Sequence, residues 1–326
     1  MGTKISDLNP NPNIIELYEI KDKKIAIDAY NVIYQFLSSI RDSNGDPLRN
    51  KEGKISSHIS GLLYRNINLI ENGAKLVYVF DGIPHKLKEQ EILRRKELKK
   101  IAREKAKEAE LQGDMNTANK FKRRDNKVTK EIVEDSKELL IAMGIPYVMS
   151  PQDAEAQSAW MVQQGIVNMS GTQDYDSIVF GCPLTIRNLT MKEERKIFNK
   201  TIYREIEEHN FENILKLNDI THDQLIDISI LIGNDFIKKI DGVGAKTALK
   251  YIKKYGSIEN IINANVKVRG KIIDYDMNLI NDIRDIFKNP QHIEVSLEWN
   301  KTKEKKLTDL LCNKHHFSEK RVEIAI

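Results

Sequence analysis

The chain has 326 residues and a mass of 37.6 kDa, with 40% hydrophobic and 31% charged side chains, which places it among globular proteins and excludes collagen-like and wholly disordered classes. Lys+Arg at 52 against Asp+Glu at 48 gives a net charge of only +4, yet residues 86 to 130 alone hold 16 basic and 8 acidic side chains, a net +8 against −4 for the remainder. Such a split points to a polyanionic partner, and two cysteines with no apolar run of about 18 residues exclude a disulfide framework, a Cys-rich zinc module and a helical membrane span.

In chain order, the start Met1-Gly2-Thr3-Lys4-Ile5-Ser6 fits the loose myristoylation pattern, but nothing else points to a membrane. Short runs rich in β-branched residues then predict buried strands at Lys24–Ile27, Leu76–Phe80, Ile145–Met149, a weaker one before Thr172, and Leu184–Arg187. Helical patterning separates them at Asn31–Ile40, Ile59–Glu71 and Val128–Met143, the last closed by Gly144 as a C-cap. Strands alternating with helices predict an α/β fold with a mostly parallel sheet flanked by helices. The block Leu87–Leu111 has strong helix formers, charges nearly throughout and too thin an apolar stripe for a core, so it reads as a solvated or projecting helical segment broken near Gly113-Asp114. Beyond residue 205 strand signals fade, and helices are predicted at Asp223–Ile232, Ala245–Tyr255, Ile258–Asn263, Met277–Phe287 and Glu304–Leu311.

Carboxylates fall at the ends of the predicted strands. Asp28 follows the first, Asp81 the second, Asp153 and Glu155 the third across Ser150-Pro151, and Asp174 and Asp176 the weak fourth. In an open parallel sheet these carboxyl ends share one edge, where ligands bind. A lone Asp at such a place more often caps a helix. Six acids at one edge would repel strongly, by roughly 4 kcal/mol for a pair about 4 Å apart at an effective dielectric of 20, unless cations neutralise them. An all-oxygen set selects hard ions, Mg²⁺ or Mn²⁺, and two of these would suit phosphodiester hydrolysis. Farther on, Asp227 and Asp235 stand eight residues apart around an apolar helix; Asp235, past Gly233, reads as a further ligand, and Asp227 as either the buried partner of a base or, the favoured reading, a support for Asp235.

Gly242 and Gly244 open the helix Ala245–Tyr255, with Lys246, Lys250, Lys253 and Lys254 on it. Glycines admit close backbone approach, and helix-opening N–H groups bind anions, so with the preceding helix this reads as a helix-hairpin-helix that grips a DNA backbone. An ordinary helix-helix turn is the plainer alternative.

Taken together, Ile25-Ala26-Ile27-Asp28-Ala29-Tyr30-Asn31, Tyr34-Gln35-Phe36-Leu37, Tyr78-Val79-Phe80-Asp81-Gly82, Gly144-Ile145-Pro146, Gln173-Asp174-Tyr175-Asp176, Arg187-Asn188-Leu189-Thr190 and Gly242-Val243-Gly244-Ala245-Lys246 resemble the flap endonucleases, most of all the archaeal ones, from Gly2 to about Arg321. The resemblance implies a PIN-like 5′ nuclease fold, a structure-specific 5′ flap endonuclease with 5′-3′ exonuclease activity in replication and repair, two Mg²⁺ ions that Mn²⁺ can replace, and a monomer acting on branched DNA with a 5′ flap. It implies metal binding by Asp28, Asp81, Asp153, Glu155, Asp174, Asp176 and Asp235, and phosphate steering by Lys88 and Arg95. DNA contacts are implied at Tyr34, Arg41, Arg65, Gly233, Gly242, Gly244 and Lys246, with Gly2 on the active-site side. The implied regions are an N-terminal nuclease region 1–98, a basic helical arch 86–130, an internal nuclease region 116–256 with the hairpin at about 223–255, and a helical C-terminal region 257–326. A cytoplasmic, nucleoid-associated, unsecreted protein is expected.

Three departures stand out. Asp153-Ala154-Glu155 replaces the usual Glu-Gly-Glu, and Asp241 stands where a base is common. The tail that docks relatives on a sliding clamp is absent from the end Val322-Glu323-Ile324-Ala325-Ile326. A sibling nuclease preferring junctions or resection, or a catalytically weak DNA-binding protein, are the alternatives to flap cleavage.

Overall fold

A computed structural model describes residues 3–191, 194–197 and 200–323; Gly2 and residues 324–326, both singled out above, lie outside them. The α/β class is borne out, with a mixed, mostly parallel sheet of seven strands flanked by helices. The chain divides into two compact units, one of Met1–Glu19, Asp81–Glu91 and Met149–Glu294, the other of Ile20–Phe80, Ile92–Val148 and Val295–Ile326. Among the described residues no helix is long and apolar enough to cross a membrane.

The unit holding Ile20–Phe80 is built on strands Lys24–Asp28 and Lys75–Phe80, parallel and registered so that Asp28 lies opposite Val79. Ile25 to Asp28 and Leu76 to Phe80 are all buried, as parallel strands covered on both faces require. Helices Ala29–Ser39, Ser57–Glu71 and Lys130–Ala142 pack beside them. Gly144 is a C-cap as predicted, with φ +74, and a Cβ there would stand 2.0 Å from the Asn300 carbonyl oxygen, so two constraints require glycine. The basic block is helical over Glu89–Leu111, and its buried stripe consists of Ala102, Ala106 and Ala109 only. Gly113 breaks the helix, and Asp114 caps the next one, Met115–Lys122, by accepting from the Thr117 N–H at 3.0 Å. Lys122 bridges Glu110 at 2.6 Å and, outside the segment, Asp46 at 3.2 Å, while Arg103 bonds Asp125 at 2.7 and 2.9 Å, so Glu110 and Asp125, two of the segment's eight acids, are paired within it. The helix expected at Glu304–Leu311 is helical over Glu304–Thr308 and widens into a π-type turn over Asp309–Lys314.

A polar cluster lies inside this unit. The Nε2 atoms of His58 and His315 each stand 3.9 Å from Asp135 Oδ2, and Lys314 holds the other carboxylate oxygen at 2.8 Å. Neither buried ring has a hydrogen-bond partner among the described residues. Burial first, opposed by Asp135 and helped by His315, holds the His58 imidazole down at about 4. The unfolded chain therefore takes up this proton first, so the stability gained from a neutral His58 is complete above about pH 6.5 and declines as pH falls toward about 4, by about 3 kcal/mol in full. Denaturant midpoints at pH 7 and 4.5 are expected to differ more in the parent than in His58→Leu; equal differences would rule the histidine out as the acid-sensitive group.

In the other unit, strands Asn13–Ile15, Ile206–Asn210, Leu184–Arg187 and Met169–Gly171 lie side by side in that order. Leu184–Arg187 pairs parallel with Met169–Gly171 and antiparallel with Ile206–Asn210, which pairs antiparallel with Asn13–Ile15. This corrects the expectation that strands end near residue 205. Ile206–Asn210 reads as polar because Glu207 and Glu208 are satisfied in place, by Arg187 at 2.8 Å and Asn13 at 3.0 Å, while only Ile206 and His209 are buried. The helix Ala154–Gln163 had no forecast; its small residues bury without an amphipathic signal.

The predicted helices His222–Ile232, Ala245–Tyr255, Ile258–Asn263 and Met277–Lys288 all form and pack together. Asp227 is a structural partner of a base rather than a support for Asp235. Its two oxygens take Arg284 Nε and Nη2, each at 2.8 Å, and one also accepts from the Ile258 N–H at 3.1 Å, tying three helices.

Candidate active site

Six of the seven predicted acids lie in the unit holding Met149–Glu294; Asp81, Asp153, Glu155 and Asp235 interact with one base, Lys88, and Asp174 and Asp176 join them through Asp235. Lys88, just before the helix Glu89–Leu111, extends Nζ to Asp153 Oδ1 at 2.6 Å and Asp235 Oδ2 at 3.7 Å. Its side chain is 16% exposed, against 10% for Asp153 and 14% for Asp235, so these charges interact largely out of water. Burial would discharge the ammonium, but Asp153, Asp235 and Glu155 outweigh it and hold Lys88 above the ordinary lysine range. The ammonium also lies 5.0 Å over the Phe236 ring.

Asp81 is held by the backbone, accepting from the Ala154 N–H at 2.8 Å. Burial raises its pKa, and Asp153 and Asp235 add repulsion that this hydrogen bond and Lys88 only partly offset. Asp176 opens the short helix Asp176–Val179 and accepts from the Thr3 N–H at 2.7 Å. Burial first, then Asp235 and Asp174, push it up to about 6. Repulsion thus links Asp174, Asp176, Asp235, Asp81 and Asp153 into one electrostatic group.

Local backbone geometry places these groups. Gly233 ends the helix His222–Ile232 at φ +82, where a Cβ would meet the Lys239 amide nitrogen at 2.4 Å; the chain can therefore turn sharply there and deliver Asp235 to Lys88. Asp153 precedes the helix Ala154–Gln163, and Glu155 lies in its first turn.

Among the described residues no three His, Cys, Asp or Glu side chains form a ready-made ion cage. The donor set nevertheless fits hard divalent ions. It is all oxygen, two of its carboxyls are pushed up by burial and by mutual repulsion, and the Lys88 ammonium is drawn in among them. Asp81, Asp153, Glu155, Asp174, Asp176 and Asp235 could hold such ions.

The other predicted residues belong to the second unit or to the hairpin. Asp28 is buried at the end of strand Lys24–Asp28 and caps the helix Ala29–Ser39 through the Asn31 N–H at 3.0 Å, so the capping alternative holds for it whatever else it does. Arg95 stands two turns along the helix from Lys88, and Arg65 lies on Ser57–Glu71, half-buried. The Tyr34 hydroxyl donates to the Asn126 carbonyl oxygen, and Lys99 sits 4.6 Å over its ring. Arg41 is engaged by protein: Nε donates to the Leu37 carbonyl at 3.1 Å, Nη1 to that of Gly45 at 2.6 Å, and Nη2 to the Asn126 side chain and, at 3.4 Å, the Lys122 carbonyl. Gly244 is the N-cap of Ala245–Tyr255, with nothing within 4 Å of where a Cβ would stand, and Gly242, Gly244 and Lys246 are exposed. Lys250, Lys253 and Lys254 are exposed along the same helix while Ala245, Ala248 and Ile252 are buried, which presents open amides and a basic face together.

Two contacts around the acids escaped the sequence reading. The Thr3 N–H on Asp176 spans 173 residues and carries no local signal. Arg187, quoted above only as part of a motif, meets Gln173, Tyr175 and Glu207.

Comparison with known proteins bears on all of this. Residues 7–102 match the XPG N-terminal domain and residues 144–235 the XPG I-region. The chain is 43% identical to flap endonuclease 1 of Ignicoccus hospitalis, over 99% of this chain and 92% of that one. Against flap endonuclease 1 of Methanosarcina acetivorans the identity is 41%, over 100% of this chain and 94% of that one. Among solved structures, flap endonuclease-1 from Methanococcus jannaschii superposes with a TM-score of 0.76 at 33% identity, covering 99% of this chain and 96% of that one.

Proposed function

Because the chain belongs to the flap endonuclease family, whose members are metal-dependent hydrolases, we propose that it cuts branched DNA at 5′ flaps and trims 5′ ends exonucleolytically during replication and repair. Flap cleavage is its reaction. The observation that carries the residue assignments is Lys88 held among Asp153, Asp235 and Asp81, with Asp176 and Asp174 coupled to the same group.

Two divalent ions, Mg²⁺ or in its place Mn²⁺, would supply an activated water and charge stabilisation at the leaving oxygen. Asp81, Asp153, Glu155, Asp174, Asp176 and Asp235, with Asp28, would hold them. Each residue type then has a defined task. The carboxylates supply the negative charge that makes the site selective for cations. The Lys88 ammonium, kept charged by those carboxylates, would present a fixed positive group to the scissile phosphate, and Arg95 would be a second steering cation. The low exposure of these side chains keeps their charge interactions strong. The basic segment 86–130 would receive the single-stranded flap, and the hairpin at 223–255 would hold the duplex through Gly242, Gly244 and Lys246.

The assignment is tested by the rates on a 5′-flap duplex, a four-way junction and a gapped duplex with Mg²⁺. The flap is expected to be cut fastest, and a preference for the junction would transfer the protein to the junction-resolving branch. Duplex affinity is also expected to fall with salt at a log–log slope of about 0.9 per phosphate neutralised, and Lys246→Ala to reduce that slope by about 1. An unchanged slope would take Lys246 out of the phosphate grip.

A further inference from the structure

The loop Gln173–Asp176 carries two of the acids, and side chains from strands Leu184–Arg187 and Ile206–Asn210 hold its backbone and the Tyr175 ring. Arg187, on strand Leu184–Arg187, donates Nε to the Gln173 carbonyl at 3.2 Å and Nη1 to the Tyr175 hydroxyl at 2.6 Å and to Glu207 Oε2 at 2.8 Å. Its guanidinium also stacks 4.1 Å from the centre of the Tyr175 ring. That ring meets His209 edge-on at 5.5 Å, and His209 is itself held by Asn9 at 3.0 Å and Glu207 at 3.3 Å.

Tyr175 lies between Asp174 and Asp176 in sequence, so gripping its ring, its hydroxyl and the carbonyl two residues before it leaves the intervening backbone little freedom. Asp174 and Asp176 are two carboxylates with one residue between them, and a loop free to move would let one swing outward to relieve their mutual repulsion. A planar guanidinium with three fixed acceptors and a stacked face can hold the loop against that force. An ammonium on a flexible stem cannot make the same contacts.

We propose that Arg187 is a positioning residue of the nuclease site: clamped between Tyr175 and Glu207, it fixes the loop so that Asp174 and Asp176 are held ready for divalent cations before these bind. The inference rests on the reading of those two acids as cation ligands. Glu207 is part of the device because it is the counter-charge that keeps the guanidinium on the strand rather than among the acids.

The test is cation binding itself. Removing groups that orient metal ligands usually weakens metal binding about 10- to 100-fold. In Arg187→Met, the Mn²⁺ dissociation constant read by electron paramagnetic resonance and the Mg²⁺ concentration for half-maximal flap cleavage are both expected to rise about tenfold or more. Flap affinity in EDTA should stay within about twofold of the parent's, since phosphate-contact losses come from groups that touch DNA. Arg187→Lys should recover little of the loss, and Tyr175→Phe, which keeps the stacked ring, should show a smaller shift in the same direction.

Parent-like Mn²⁺ binding in Arg187→Met would overturn the proposal, as would lost flap affinity in EDTA with unchanged cation dependence, which would make Arg187 a DNA contact. Should Arg187→Met fail to fold, Tyr175→Phe and Glu207→Gln carry the same comparison. Asp174→Ala, measured alongside, separates the two levels. If it binds Mn²⁺ and cuts like the parent, the cation-site reading has failed; if it is inactive beside a parent-like Arg187→Met, only the positioning role has.

Discussion

Asp81→Asn is expected to lower flap cleavage by about a thousandfold, roughly 4 kcal/mol of transition-state stabilisation, while leaving the protein as stable as the parent or more so. The two halves of that expectation have one cause. The Asp81 carboxyl is pushed up by burial and by Asp153 and Asp235, so at pH 7 its ionised form opposes folding. Asparagine keeps an oxygen for the Ala154 N–H, 2.8 Å away in the parent, and removes the charge that is being repelled. Because the raised pKa makes the carboxylate costly above that pKa, the stabilising effect of Asn should shrink as the pH falls through the range where Asp81 protonates. Thermal melts in EDTA at pH 8 and 5, beside cleavage rates with Mg²⁺, provide the check. A variant that loses stability together with activity would place Asp81 among structural residues instead.

Asp227→Ala is expected to have the opposite profile, losing about 3 kcal/mol of stability while the folded fraction cuts flaps at nearly the parent's rate. The carboxylate accepts two hydrogen bonds from Arg284 and one from the Ile258 N–H, and its removal leaves a partly buried guanidinium with Glu259 as its remaining acidic partner. Burial raises the Asp227 pKa although Arg284 pulls it down, so the intact pair adds little net stability, whereas breaking it is costly. Asp227→Asn should retain a part by keeping an acceptor for Ile258. Urea unfolding midpoints measure the loss, and single-turnover rates at low temperature measure what the folded protein still does. Full stability with inactive enzyme would restore Asp227 to the support role read from its spacing with Asp235.

These two aspartates show where a linear reading works and where it stops. Both lie in or near apolar segments; Asp227 is buried and Asp81 is of intermediate exposure. Asp81 could be assigned because a strand end is a local, recognisable place, and the chemistry of strand ends in parallel sheets is general. Asp227 could not, because its partner lies 57 residues away on another helix and nothing in its neighbourhood names that partner. The same limit hid the Thr3 contact to Asp176 and the clamp of Arg187 on Tyr175 and Glu207. It also bears on Arg41, for which the family resemblance implied a DNA contact and whose donors meet carbonyl groups and the Asn126 side chain. The missed strand Ile206–Asn210 belongs here too, since its polarity is offset by partners on neighbouring strands.

By itself, the sequence determined the periodicities. Apolar runs of strand length, helices with one buried stripe, the break at Gly113, the caps at Gly144 and Asp114, and the charge asymmetry of residues 86 to 130 all depend on residues a few positions apart, whose mutual geometry the backbone imposes. Through its motifs it also determined the family. Tertiary structure alone decided which charges meet, because hydrogen bonds and ion pairs depend on angstroms and angles that chain separation does not encode. It brought Lys88 to Asp153 across 65 residues, paired Asp227 with Arg284 away from the acids, and set Arg187 behind the loop of Asp174 and Asp176.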